Sequence, residues 1–178
     1  MSLPKPFLPP ALPVLKLTRV VEADPRHAAI EALLKKDCRP LWEKSFYKVP
    51  HIPFLPALES CLRDVHSRKK LERGVEQIER LLSKEQKGLA ALKEKQGTEP
   101  FNRISRLFIV ANDGSERFYR ACEKVLLQNS DRLLLLHVDA SSDRLAQCIL
   151  GVSDKPLKAL LVSDRDAVSG VLFSLVGN

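Results

Sequence analysis

The chain has 178 residues, of which 44% are apolar and 29% charged, enough to build a core for one ordinary domain or a small domain with an extension. No apolar run approaches the ~18 residues needed to span a bilayer, so a membrane span is excluded and a cytoplasmic location is expected. The net charge of +7 is one-sided: residues 1–97 hold 19 Lys/Arg against 12 Asp/Glu, whereas residues 98–178 hold 10 of each. An acidic partner should therefore meet the first half.

The chain opens with Pro4, Pro6, Pro9, Pro10 and Pro13 among apolar residues. Such spacing breaks any signal-peptide helix and reads as an extended, polyproline-like arm. Val14–Val21, rich in Leu and β-branched residues, reads as a short strand. Asp24-Pro25 then starts a helix that runs to about Lys36, the carboxylate capping an early N–H and the proline fitting the first helical position. From Cys38 to Pro56, four further prolines argue against regular structure. Trp42, Phe46, Tyr47 and Phe54 are expected to pin this stretch onto the core.

Pro56 opens a long helical segment reaching about Gln96, with a break near Ser67–Lys70. Leu71, Val75, Ile78, Leu82, Leu89 and Leu92 follow alternating spacings of four and three, Glu85 filling the missing seat. That is a heptad seam, so a coiled coil, a helical hairpin or a homodimer through residues 71–92 is expected. Gly97-Thr98-Glu99-Pro100 ends the helix and sets a boundary between a helical, Pro-rich first half (1–97) and a small α/β domain (98–178).

In the second half, Arg106–Ala111, Arg132–Val138 and Leu157–Val162 are apolar runs too short for helices, each followed by a polar turn and a helix-period stripe. This βαβαβα pattern predicts a small parallel sheet buried on both faces. In such a sheet Asp113, Asp139 and Asp164 would lie together at the carboxyl edge of the strands, where α/β folds place ligands. Clustered carboxylates there could hold Mg²⁺, although Asp and Ser are also the preferred helix caps, and capping is the favoured account. Gly114 suits a positive-φ turn. His137, inside a strand, reads as a satisfied, partly buried residue. Four cysteines without CxxC spacing read as free thiols. No P-loop, GxGxxG or GxSxG occurs, and no set of residues completes a catalytic site.

The pieces Ile109-Val110-Ala111, Asp113-Gly114-Ser115-Glu116, Ala121 and Leu135-Leu136-His137-Val138 resemble the opening of the universal stress protein family. The likeness covers residues 106–139. It implies a nucleotide-binding α/β fold in which Asp113 lies by the adenine pocket, with Gly114 and Ser115 beside it.

Two function classes follow. The first is a non-catalytic interaction protein whose basic half docks on an acidic partner, nucleic acid being favoured. Arg63, Arg68, Lys69, Lys70 and Arg73 would line phosphates, although Asp64, Glu72 and Glu76 are interleaved. The second is a small nucleotide-binding sensor using Asp113, Gly114, Ser115, Asp139 and Asp164. No cofactor is required by the first; a nucleotide or Mg²⁺ belongs to the second.

Overall fold

The computed structural model describes residues 12–96, 102–152 and 154–177. The Pro-rich start and the foreseen boundary at Gly97–Pro100 lie outside them. In chain order the elements are α1 (Arg19–Glu22), α2 (His27–Lys36), β1 (Cys38–Pro40), β2 (Lys48–Pro53), α3 (Pro56–Ser67), β3 (Leu71–Arg73) and α4 (Val75–Gln96). There follow β4 (Arg106–Val110), α5 (Glu116–Gln128), β5 (Leu133–Asp139), α6 (Ser142–Leu145) running into a π-helical turn (Ala146–Leu150), β6 (Ala159–Val162) and α7 (Arg165–Ser174).

All six strands join one mixed sheet in the order β1-β2-β5-β4-β6-β3. Three strands come from each side of residue 97, so that position does not separate two sheets. β2, β5 and β4 are parallel, with His51 opposite His137 and Val110 opposite His137 on the other side. β6 was expected to continue the parallel set but runs antiparallel to β4. The reason lies between Asp139 and Ala159. Gly151, at φ 73°, ends the helix, and the chain doubles back until the Leu157 N–H donates to the Ser142 carbonyl at 3.0 Å. It re-enters the sheet at the edge it had just left, so no crossover forms.

Because side chains alternate along each strand, the sheet buries two apolar faces. Leu107, Ile109, Leu136, Val138, Leu160 and Val162 pack with α3, α7 and the α6 turn. Phe108, Val110, Leu133, Leu135 and Leu161 pack on the other face with Ile78 and Leu82 of α4 and Cys122 and Val125 of α5. The heptad seam is therefore consumed within the chain: Ile78 and Leu82 are fully buried, each side chain contributing roughly 1.5–3 kcal/mol of transfer free energy. No coiled coil is needed to cover them; only the distal Leu92 remains exposed.

The break after α3 is a Schellman-type ending. The Lys70 N–H donates to Val65 and the Lys69 N–H to His66, with Lys69 itself at φ 61°. The following residues form the edge strand β3, in a region read as helical.

Two other departures are local. Val14–Val21 is not a strand; it makes one bridge, Lys16 to Arg103, and then α1. The Thr18 hydroxyl accepts from the Val21 N–H at 3.3 Å, giving the backbone a helical start in place of a ladder. The Pro-rich stretch does form β1 and β2. Pro40 and Pro53 are the last residues of their strands, where a missing donor costs no internal ladder bond, and Pro50, inside β2, faces the first residue of β1, Cys38, and precedes the β5 ladder, which begins at His51. Trp42 and Phe54 pin this region as expected, with Trp42 Nε1 donating to Glu123 at 3.0 Å, whereas Phe46 stands exposed.

Candidate nucleic-acid interface and the polar ends of the sheet

The strand-end carboxylates divide between two edges. After β4 and β5, Asp113 and Asp139 lie at one edge; because β6 runs the other way, Asp164 lies at the opposite one. Asp113 accepts from both the N–H and the hydroxyl of Ser142, at 3.0 and 2.8 Å, and so fixes the entrance to α6. Asp139 accepts from Asn112 Nδ2 at 3.0 Å. Asp164 caps α7 through the Ala167 N–H at 3.0 Å and sits 4.0 Å from Lys70 Nζ. The three do not converge; Asp113 and Asp164 serve helix starts, and Asp139 accepts from the Asn112 side chain. Among the described residues, no group of three or more His, Cys, Asp or Glu side chains is placed to hold a metal ion.

Ser115, not Asp113, is the N-cap of α5, accepting from Phe118 N–H at 3.1 Å. Gly114 is required for space rather than for a positive φ. A Cβ there would lie 2.4 Å from Phe118 Cδ1 and 3.0 Å from Tyr119 Cζ, and the Gly114 N–H donates to Tyr119 Oη.

Beside this edge His137 stacks edge-on with His51 and Tyr119. Burial, reinforced by the facing His51, drops the His137 pKa to about 4, so the ring is neutral at ordinary pH. The four cysteines are free thiols, and burial pushes Cys122 up to about 12.

Arg68, Lys69 and Lys70 immediately precede β3, and Arg73 is its last residue. Of the five foreseen, Arg63 is committed elsewhere, to Glu59 at 2.7 Å and to the Cys148 carbonyl at 2.9 Å. Arg68 pairs with Asp64 at 3.2 Å on an exposed helix flank, a contact of the kind worth ~0.3–0.5 kcal/mol. Lys70 makes the long contact to Asp164, and Lys69 and Arg73 are exposed. Three more cations follow in the chain on α4. Arg80, Lys84 and Lys87 stand on the outward face of α4, lining a shallow depression with Glu76, Glu79 and Ser83. Their spacing of four and three was legible, but the apolar seam on the same helix drew the reading instead.

No family model matches the chain, and no curated protein matches it. A solved structure similar to it is the Giardia lamblia 15.5kD RNA binding protein, at 14% sequence identity and a TM-score of 0.43, covering 68% of this chain and 82% of that one. At that score the likeness carries no argument about function. The chain has a mixed α/β fold with helices on both faces of one sheet. No helix among the described residues is long and apolar enough to cross a membrane.

Proposed function

We propose that the chain is a nucleic-acid-binding module whose basic surface wraps the β3 edge of the sheet. Arg68, Lys69 and Lys70 lead into β3, Arg73 ends it, and Arg80, Lys84 and Lys87 continue along α4. The observation that carries the reading is that five of these seven, Lys69, Arg73, Arg80, Lys84 and Lys87, are exposed and make no ion pair among the described residues. Nearby, Glu79 leans to Lys124 at 3.9 Å and Glu85 is drawn inward to two arginines, which reduces the competing charge. Glu72 and Glu76 remain on the surface. From Arg80 to Lys87 the helix rises ~10 Å, matching about three phosphates along one strand of a duplex. Charge of this kind positions a backbone without reading bases, so affinity is expected to exceed sequence preference.

Fluorescence anisotropy with a labelled RNA hairpin, a single-stranded RNA and a DNA duplex tests this. The triple variant Arg80→Ala, Lys84→Ala, Lys87→Ala should bind at least tenfold more weakly at low salt while keeping its fold. Unchanged affinity would remove α4 from the interface, and no binding to any of the three probes would overturn the reading in favour of an acidic protein partner.

The nucleotide-binding alternative has less support. The Asp113 oxygens that the universal stress protein likeness would aim at a ligand already accept from Ser142.

A further inference from the structure

On the parallel β2–β5 ladder His51 stands directly across from His137, and the two Nδ1 atoms are 3.2 Å apart with ring planes at 87°. The proton positions can be assigned from the neighbours. Tyr119 Oη donates its single hydrogen to the Ala111 carbonyl at 2.6 Å, so towards His137 Nε2, 3.4 Å away, it can only accept. His137 therefore carries its hydrogen on Nε2, held by the Tyr119–Ala111 pair, and its Nδ1 presents a bare lone pair to His51. In the metal-free protein His51 fills that contact with its own Nδ1–H.

We propose that His51 and His137 bind one divalent transition-metal ion of the Zn²⁺ or Ni²⁺ class through their two Nδ1 atoms, with water completing the coordination. Two imidazole nitrogens each ~2.0–2.1 Å from a tetrahedral ion are ~3.3–3.4 Å apart, close to the separation already present. The second requirement of a histidine ligand is also met. Its other ring nitrogen should donate to a carbonyl or similar acceptor that fixes tautomer and orientation, and His137 Nε2 is so placed. Both rings are half-buried, so neither is sealed from solvent.

Binding asks two changes of His51. Its hydrogen moves through solvent from Nδ1 to Nε2, with no net proton released, and its ring turns so that both lone pairs meet at one point off the N–N line. Asp37 lies close enough to His51, and Asp139 to His137, to be felt electrostatically, and both favour a cation there, while Arg39, which His137 feels more strongly than Asp139, opposes it and is itself paired with Asp37 at 2.8 Å. A pair of imidazoles selects borderline metals over Mg²⁺ and Ca²⁺, which prefer oxygen.

The test uses the full chain without a histidine tag. Calorimetric titration with Zn²⁺ should show one equivalent taken up, undiminished in Cys38→Ser and weakened at least tenfold in His51→Ala, whose half-buried position spares the fold. Substoichiometric Ni²⁺ should broaden the ring resonances of His51 and His137 before those of His27 and His66. Equal uptake by wild type and His51→Ala, loss in Cys38→Ser alone, or earlier broadening at His27 or His66 would each overturn the site.

Discussion

Glu85 occupies the polar seat of the heptad pattern, and replacing it by alanine should destabilise the fold by about 3 kcal/mol. Its carboxylate is shared between two arginines at the start of β4 and β5. Arg106 contacts it at 3.2 Å and Arg132 at 2.5 Å. The Arg132 side chain is only 5% exposed, and among the described residues its partners apart from Glu85 reduce to the Leu82 carbonyl at 3.2 Å, its Nε having none. Deleting the carboxylate leaves a buried, uncompensated guanidinium, a loss that runs to ~3–5 kcal/mol for fully buried pairs. Glu85 itself is 22% exposed, so some solvent screening remains and the low end of that range applies. Urea unfolding of Glu85→Ala should show a lower midpoint at unchanged slope, with Tm falling by roughly 6–12 °C for a chain of this size. Glu85→Gln, which keeps an acceptor, should cost about half as much. Pairing Glu85→Ala with Arg132→Met should recover part of the loss, since the charge needing compensation is gone. A cost below ~1 kcal/mol for Glu85→Ala would refute the reasoning and mean that Arg132 finds water.

Other outcomes follow from the same geometry. His137 is neutral in the fold, with a pKa lowered to about 4 from an ordinary value near 6.5, so the unfolded chain takes up the proton first as pH falls. Its contribution is full above pH ~6.5, declines towards pH ~4 and is gone below, amounting to about 1–2 kcal/mol after allowance for the half-exposed ring; the pH dependence of urea midpoints in wild type and His137→Gln checks it. Ile78→Ala should cost ~2–5 kcal/mol as a cavity in the chain's own core, with a mass by light scattering that stays that of wild type; a change of oligomeric state instead would restore the intermolecular seam. Lys69→Gly should stabilise by ~0.5 kcal/mol, because the left-handed backbone costs a side chain about 1 kcal/mol or more and the glycine gives some back in unfolded-chain entropy; thermal melting reads this. Asp113→Ala should cost ~1–2 kcal/mol in urea unfolding through the lost hold on Ser142, and ATP with Mg²⁺ should raise the Tm of neither form; stabilisation of wild type alone would return Asp113 to a ligand role.

How much could be seen in the sequence depended on whether the deciding contact was local. β4, α5 and β5 were legible because an apolar run, a capping serine and a helix-period stripe stand within 34 residues of one another. The antiparallel sense of β6 was not, since strand composition carries no direction; it is set by Gly151 and by a hydrogen bond from Leu157 back to Ser142. Separating Asp164 from the other two carboxylates follows from that reversal alone. The 71–92 periodicity correctly marked a buried face on α4 but could not say what buries it, and the answer was the sheet. β1 and β2 were obscured because proline was counted against strands without regard to which strand residues lie at the margin of a ladder, as Pro40, Pro50 and Pro53 do. His51 and His137 are 86 residues apart and meet only through the β2–β5 register, which no local pattern displays.

A phosphate-binding surface at the β3 edge should show itself in the salt dependence of RNA affinity. For wild type, log K against log salt concentration should fall linearly with a slope near −0.7 to −0.9 per neutralised phosphate, so a slope of about −3 to −5 if the exposed cations engage. Lys84→Ala and Arg73→Ala should each flatten that slope by ~0.7–0.9. A slope near zero, or one that neither substitution changes, would contradict it.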